Sequence, residues 1–252
     1  MSENLEKAKK ALEEENYDEL AVEANKVCNI DGDYKTGIDL LSNGLAKQPF
    51  NVALRATRGR KYIGSYNYPC AIADLSLASR LDPSDWEIWY YGGVAAYLDD
   101  EYEMCKQFHT EARKLMIENN VEAIPATVDW YWMACMKLGQ EEEAKKILDE
   151  YISLDTPSED GDYKARVLLY KGVYLPDNFI KEHMCGDEVS DPERKEVYDL
   201  MLTYGLANYY HYHNQDDKAN ELCLKIAKYP THHNLFAWAQ ACRDLKDRGV
   251  NF

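Results

Sequence analysis

Along most of the chain, small and apolar residues return on helical rather than strand spacing. Residues 3–15 are rich in Glu, Lys and Ala, and Leu5, Ala8 and Leu12 make one narrow apolar face, which predicts a helix. No segment sustains the period-2 alternation of a half-buried strand. Beyond residue 15 a longer interval appears. Tyr34, Tyr68 and Tyr102 stand 34 residues apart, each after a polar or acidic residue (Asp33, Asn67, Glu101). Gly37, Ala71 and Cys105 repeat the same step with small side chains, as do Gly44, Ala78 and Ala112. Pro49 and Pro83 close their units.

A period between 20 and 50 residues reads as a repeat architecture. Two small residues seven positions apart share one helix face, two turns from each other, and let a neighbouring helix approach closely. The tyrosine then stands at the start of the second helix of a hairpin and covers the turn. Proline stops that helix, because it has no N–H for the next hydrogen bond.

With those columns in register, the chain resembles the tetratricopeptide family, whose pattern is W-x2-L-G-x2-Y, then A-x3-F, then P. Gly59 and Tyr62 match the first helix of the second unit; Ala71, Leu75 and Pro83 match its second helix. Trp89, Gly92, Gly93 and Ala112 belong to a third unit. A fourth, shifted by five residues, runs from about Val128 to Leu148, with Gly139 at its turn and Ala144 in the small column. A fifth carries Leu206, Ala207 and Tyr210, then Ala219, Cys223 and Pro230. The resemblance implies an all-α solenoid, a TPR-like superhelix of five to six helical hairpins with capping helices, and is specific for fold rather than function. Departures stand beside the matches. Arg55 and Arg58 replace Trp and Leu, either buried against acids such as Asp39 or exposed for binding. His109 replaces an aromatic or aliphatic residue, and Trp132 a small one, which should splay or repack its helix pair.

The expected organisation is an N-terminal capping helix over 1–16, four TPR-like units over 17–153, an irregular or degenerate unit over 154–192, and a C-terminal unit with a capping helix over 193–252. Within the irregular part, 156–161 and 186–192 read as loops and Asp162 to Tyr174 as helix. Pro176 opens a short helix or a turn. A further helix starts near Asp191-Pro192 and runs to about His213. Leu235, Trp238, Ala241, Cys242 and Leu245 make a closing amphipathic helix, stopped near Gly249.

Composition changes this picture in one respect. The net charge is −16, and the field it creates repels phosphate backbones and anionic lipid, so nucleic acid and membrane are not expected partners. The 20 Tyr and 5 Trp against 5 Phe favour rings with a polar tip at half-exposed positions. Seven scattered cysteines without a Cys-x-x-Cys pair read as free thiols of a reducing compartment, and no apolar run or signal-type N-terminus interrupts a cytoplasmic assignment.

Candidate chemistry is sparse. His211 and His213, His183 and Cys185, and His232 and His233 lack the spacing of helical metal ligands; Cys105 and His109 have it but fall in core columns. No metal, cofactor or catalytic set is expected. Helical toroids that hydrolyse sugars also combine aromatic residues with carboxylate pairs, but they need a longer chain to close a ring.

The resemblance also implies that the first helix of each unit lines a concave groove. Its rows are Lys26, Arg60, Val94, Met133 and Asn208; Val22, Ala56, Tyr90, Asp129 and Tyr204; and Asn29, Ile63, Tyr97, Met136 and His211. The partner-binding set expected from them is Lys26, Arg60, Tyr90, Tyr97, Met133, Met136, Tyr204, Asn208 and His211, because Tyr and Met suit protein recognition. Some relatives grip a C-terminal carboxylate with Lys, Asn and Arg; Ile30, Gly64 and Val94 occupy places that grip needs polar, so it is not expected here. The expected function is a scaffold holding a partner protein or peptide segment. Tyr204 to Tyr210 and Trp238 also loosely resemble bacterial repeat proteins encoded beside amidohydrolase-type enzymes, which implies an accessory or regulatory subunit. The opposing class is an enzyme or small-ligand binder using the aromatic groove.

Overall fold

The computed structural model describes residues 2–159, 161–180, 192–229 and 235–252. The described residues form helices and no strands. Contacts divide the chain into two compact units, 1–115 and 116–252.

The first unit holds α1 (Glu3–Glu13), α2 (Tyr17–Asn29), α3 (Tyr34–Lys47), α4 (Val52–Gly64), α5 (Tyr68–Leu81), α6 (Trp86–Leu98) and most of α7 (Tyr102–Glu118). The polar–tyrosine pairs are helix starts. Asp33 and Asn67 are N-caps whose side chains accept from Thr36 N at 3.0 Å and Cys70 N at 3.4 Å, and Tyr34 and Tyr68 are the first helical residues. Asn16 and Tyr17 start α2 in the same way. Such a cap satisfies an amide that the helix cannot, and contributes about 1 kcal/mol.

The turns repeat as well. Gly32, Tyr66 and Asp100 each lie two residues before a tyrosine that starts a helix, and each has positive φ (74°, 61° and 65°). This is a left-handed helix cap, which closes the last carbonyls of one helix and redirects the chain into the next.

The small-residue column is a packing seam. A Cβ on Gly37 would stand 2.2 Å from Cys28 Sγ and 3.0 Å from Ala24 O, so α2 and α3 approach through a position that only glycine fits. Ala71, Ala78, Cys105 and Ala112 in the same columns have no exposed surface. Helix α1 lays Ala8 and Ala11 on α2 and α3, with Leu5 and Leu12 partly buried beside them. Its other face carries the exposed Glu3, Glu6, Lys7, Lys10 and Glu13.

The second unit holds α8 (Ile124–Lys137), α9 (Glu141–Tyr151), α10 (Gly161–Tyr170), α11 (Pro176–Phe179), α12 (Pro192–Tyr212), α13 (Asp216–Ala227) and α14 (Phe236–Asp247). The α8/α9 and α12/α13 hairpins turn through Gly139 (φ 70°) and Asn214 (φ 57°), and Ala144 and Ala219 fill the small column. The irregular segment becomes α10, shorter than expected, followed by a turn and the single turn α11. Ala165, Leu169, Phe179, Leu202 and Leu206 form a core among α10, α11 and α12. Arg166 Cγ lies 2.4 Å from where a Gly205 Cβ would stand, so α10 and α12 meet backbone to side chain there. Helix α14 closes the unit with Ala237, Ala241 and Leu245 fully buried, and Gly249 ends it with φ 69°. The loop expected over 186–192, His183, Cys185, Pro230, His232 and His233 lie outside the described residues.

Candidate functional site

In the first unit, the two arginines that break the repeat pattern converge on Asp74, a buried residue of α5, and not on Asp39, which is exposed on α3. Arg55 Nη1 donates to Oδ1 at 2.8 Å; Arg58 donates Nε to Oδ2 at 2.7 Å and Nη2 to Oδ1 at 2.9 Å. Arg58 also reaches Ser42 Oγ at 2.9 Å on α3. Fork-to-carboxylate bonding of this kind fixes geometry as well as charge, and the Asp74 hydrogen bond raises the Arg58 pKa. The pair therefore ties α4 to its neighbours in place of an aromatic contact.

The expected groove residues of this unit separate into two groups. Lys26 and Arg60 are half-exposed: Lys26 pairs with Glu23 at 2.5 Å, and Arg60 pairs with Glu87 at 2.8 Å and lies over the Tyr91 ring. Tyr90 is half-buried, with its ring edge-on to Trp86, Tyr91 and His109. Tyr97 is buried against Tyr102 of α7 and turns inward.

His109 is fully buried under Gly93, where an added Cβ would come within 2.4 Å of its ring. Burial, and then the nearby charge of Arg113, push its pKa down to about 3, so it is a neutral core ring. Lys61 is also buried. It donates to Asn29 Oδ1 at 2.8 Å, and burial lowers its pKa to about 8.

The second unit collects polar groups in its interior. Met133, Asn208 and Tyr204 are all buried there. Three nitrogens converge on Met133 Sδ: Asn208 Nδ2 at 3.2 Å, Arg166 Nη2 at 3.5 Å and Gln240 Nε2 at 3.8 Å. Arg166 Nη2 also stands 2.8 Å from Asp129 Oδ2, in ionic contact, while neither Asp129 oxygen accepts an aligned hydrogen bond. Burial therefore pushes the Asp129 carboxyl up to about 7, against the pull of Arg166. The guanidinium cannot shed its proton, so Asp129 is the member of the pair whose protonation changes. Asp244 is better satisfied: Tyr204 donates to it at 2.8 Å, Lys137 at 2.8 Å, and Arg248 lies 3.5 Å away.

Of the remaining expected residues, His211 is half-exposed and bonded to Asp216 at 2.6 Å. Met136 lines an open cleft of about 440 Å³ with Trp132, Tyr170, Tyr212 and residues of α9 from Glu141 to Asp149. Trp132 does not splay α8 from α9; its ring leaves that seam and packs on α10 and α12. Among the described residues no cluster of three or more His, Cys, Asp or Glu is placed to hold a metal, and no helix is long and apolar enough to cross a membrane.

Arg166, Tyr170, Gln240 and Asp244 were not among the expected site residues. The available signal was a lone charge inside an apolar run, as at Asp129 in α8; Arg166 follows Asp162 and Lys164 and carried no such mark.

Solved structures resemble this arrangement. The Pseudomonas aeruginosa pilF structure superposes with a TM-score of 0.50 at 14% identity, covering 96% of this chain and 99% of that one. The chain carries the tetratricopeptide-type repeat fold. A kinesin light chain protein of Podosopora anserina, with TPR-like repeats, gives 0.49 at 15% identity over 91% of this chain and 95% of that one. YrrB, described as a TPR protein with an unusual peptide-binding site, gives 0.40 at 16% identity over 81% and 98%. No protein-family model and no curated protein matches the chain. Likeness at this identity speaks for the helical-hairpin fold and for nothing finer.

Proposed function

We propose that the chain is an interaction scaffold that holds a partner protein along the first-helix face of its hairpins. What supports the reading is that α2, α4 and α6 keep Val22, Lys26, Arg60 and Tyr90 at exposed or half-exposed positions in equivalent registers. Each combines an apolar stem or ring with a charged or polar tip, or is itself an apolar side chain in water. Such residues bury large area on binding while keeping their hydrogen bonds. An accessory subunit of an amidohydrolase-type enzyme is one form of this proposal, with the enzyme as partner.

The test is retention of a partner by the tagged protein from its own host, compared with the variant Val22→Asp/Arg60→Glu. Val22 is exposed and Arg60 half-exposed; losing the Arg60–Glu87 pair costs about 1 kcal/mol, so the melt should move by only a few degrees while the retained protein is lost. Equal retention by the variant would overturn the assignment of this face. Failure of the wild type to retain anything beyond what an unrelated acidic protein retains would overturn the scaffold reading itself.

A further inference from the structure

The cleft beside Met136 has walls of two kinds. On the aromatic side, Trp132 of α8 and Tyr170 of α10 are stacked, with centroids 3.9 Å apart and planes 10° apart. Tyr212, the last residue of α12, meets Trp132 edge-on at 5.4 Å and 90°. On the acidic side, Glu141 and Glu142 stand exposed in the first turn of α9, and among the described residues neither makes an ion pair.

Two lysines also line the cleft, and they decide the balance of charge. The Lys171 ammonium is engaged elsewhere: it donates to Ile152 O at 2.6 Å and Leu148 O at 3.1 Å, and lies 3.6 Å from Asp149. That leaves Lys145 against Glu141 and Glu142. Helices α10 and α12 both end at the cleft, at Tyr170 and Tyr212. Their last carbonyls are largely taken by the amides that follow (Val173 N to Leu168 O, Gln215 N to Tyr210 O), and the N-terminus of α9 adds roughly half a positive charge, so the helix ends leave the balance to the side chains. Glu141, Glu142 and Asp149 against Lys145 and Lys171 leave the lining with one excess negative charge, its half-exposed rings are those of Tyr170 and Tyr212 beside the buried Trp132, and its size is one that small ligands fill, on the order of 300–1,000 Å³.

Resting on the scaffold reading, we propose that this cleft receives an arginine side chain from a basic segment of the partner protein. A guanidinium lies flat against aromatic rings and is held by their quadrupole. Its five N–H donors reach more than one acceptor, which suits a cleft wall that carries Glu141, Glu142 and Asp149. An ammonium would use the carboxylates without the stacking, and a neutral side chain would use neither. The −16 charge of the chain steers a basic segment toward it.

Nα-acetyl-arginine methylamide is the probe, titrated into the full chain with its tryptophan indoles labelled with nitrogen-15. The Trp132 resonance is assigned by Trp132→Phe, which keeps a ring on Tyr170. The expected result is a saturable shift of the Trp132 indole that the neutral acetyl-norleucine methylamide does not produce. Glu141→Gln/Glu142→Gln, at two exposed positions, should weaken the arginine probe about threefold or more with an unchanged melt. An equal response to the neutral probe overturns the inference. So does a shift confined to other indoles, or undiminished binding by the double variant.

Partner retention by the same double variant separates the two readings. Full retention leaves the scaffold standing and removes the cleft from it. If the wild type retains no partner while the arginine probe still moves Trp132, the scaffold reading fails and the arginine site survives it.

Discussion

His109 makes the stability of the first unit depend on pH in a direction that can be worked out from its surroundings. The ring is fully buried, and burial followed by the Arg113 charge hold its pKa near 3 against an ordinary value of 6.5. Between those values the unfolded chain binds a proton that the folded chain does not, so stability rises with pH across that window. The contribution is complete above about pH 6.5 and falls as the pH drops towards about 3. At 1.36 kcal/mol per unit, the loss between pH 7 and pH 5 is about 2 kcal/mol. Two measurements check this. The His109 ring proton shift should stay constant from pH 7 to pH 5 in the folded protein. In urea unfolding, the stability difference between wild type and His109→Gln should shrink by about 2 kcal/mol over the same interval, because the variant has no group to titrate there. A ring that titrates near 6.5, or a stability difference that does not change with pH, would refute the buried neutral histidine.

Asp129 is expected to act in the opposite sense. Its folded pKa is raised, to about 7, so its contribution is fully present below about pH 4 and is lost as the pH rises through 7. Wild type should therefore gain on Asp129→Asn as the medium is acidified from pH 7 to pH 5, measured by the same urea titration. Asp74→Asn leaves Arg55 and Arg58 without their anion; removing one partner of a buried pair costs about 3–5 kcal/mol, and their partial exposure places the expected loss near about 3. A melting temperature within one degree of wild type would show that the two arginines relax into water. Ala71→Leu should cost about 1–3 kcal/mol by overpacking the α4/α5 seam, and an unchanged melting curve would mean that column is not a seam.

The helical hairpins were legible because two local rules recur at fixed spacing. A polar residue before tyrosine is an N-cap followed by the first helical residue, and a small residue repeated after seven positions is a face that another backbone approaches. Both rules act through neighbours in sequence, so they survive without knowledge of tertiary contacts. The turn at Gly139 and the stop at Gly249 were legible, because glycine marks the left-handed residue there. Glu15, Tyr66, Asp100 and Asn214 adopt the same conformation without glycine, and the repeating geometry compels it rather than the residue type. Arg55 and Arg58 show the limit from another side. Their departure from the pattern was visible, but Asp74, which explains it, lies 16 and 19 residues away on the next helix. Nothing in local spacing selects Asp74 over Asp39.

The groove rows show why register alone does not define a binding surface. The three rows assume that the first-helix face of every hairpin is open. In the first unit Lys26, Arg60 and Tyr90 do keep solvent access, and Tyr97 is lost to α7. In the second unit the corresponding Met133, Tyr204 and Asn208 are interior, because α10, α12 and α14 supply Arg166, Asn208 and Gln240 to one sulfur. Helix α10 comes from the segment where the 34-residue period is lost, so the period could not announce the cover it provides. Covering that face also explains the residues found on it. A core built only from repeat columns would be apolar, whereas this one retains Asp129, Arg166, Asn208 and Gln240, whose polar atoms must find one another once water is excluded. The cleft proposed to take an arginine is lined instead by Tyr170 and Tyr212 at the ends of α10 and α12, by Trp132 of α8 and by Glu141 and Glu142 of α9. A surface assembled from helix termini has no column in the repeat, and only the folded unit brings its residues together.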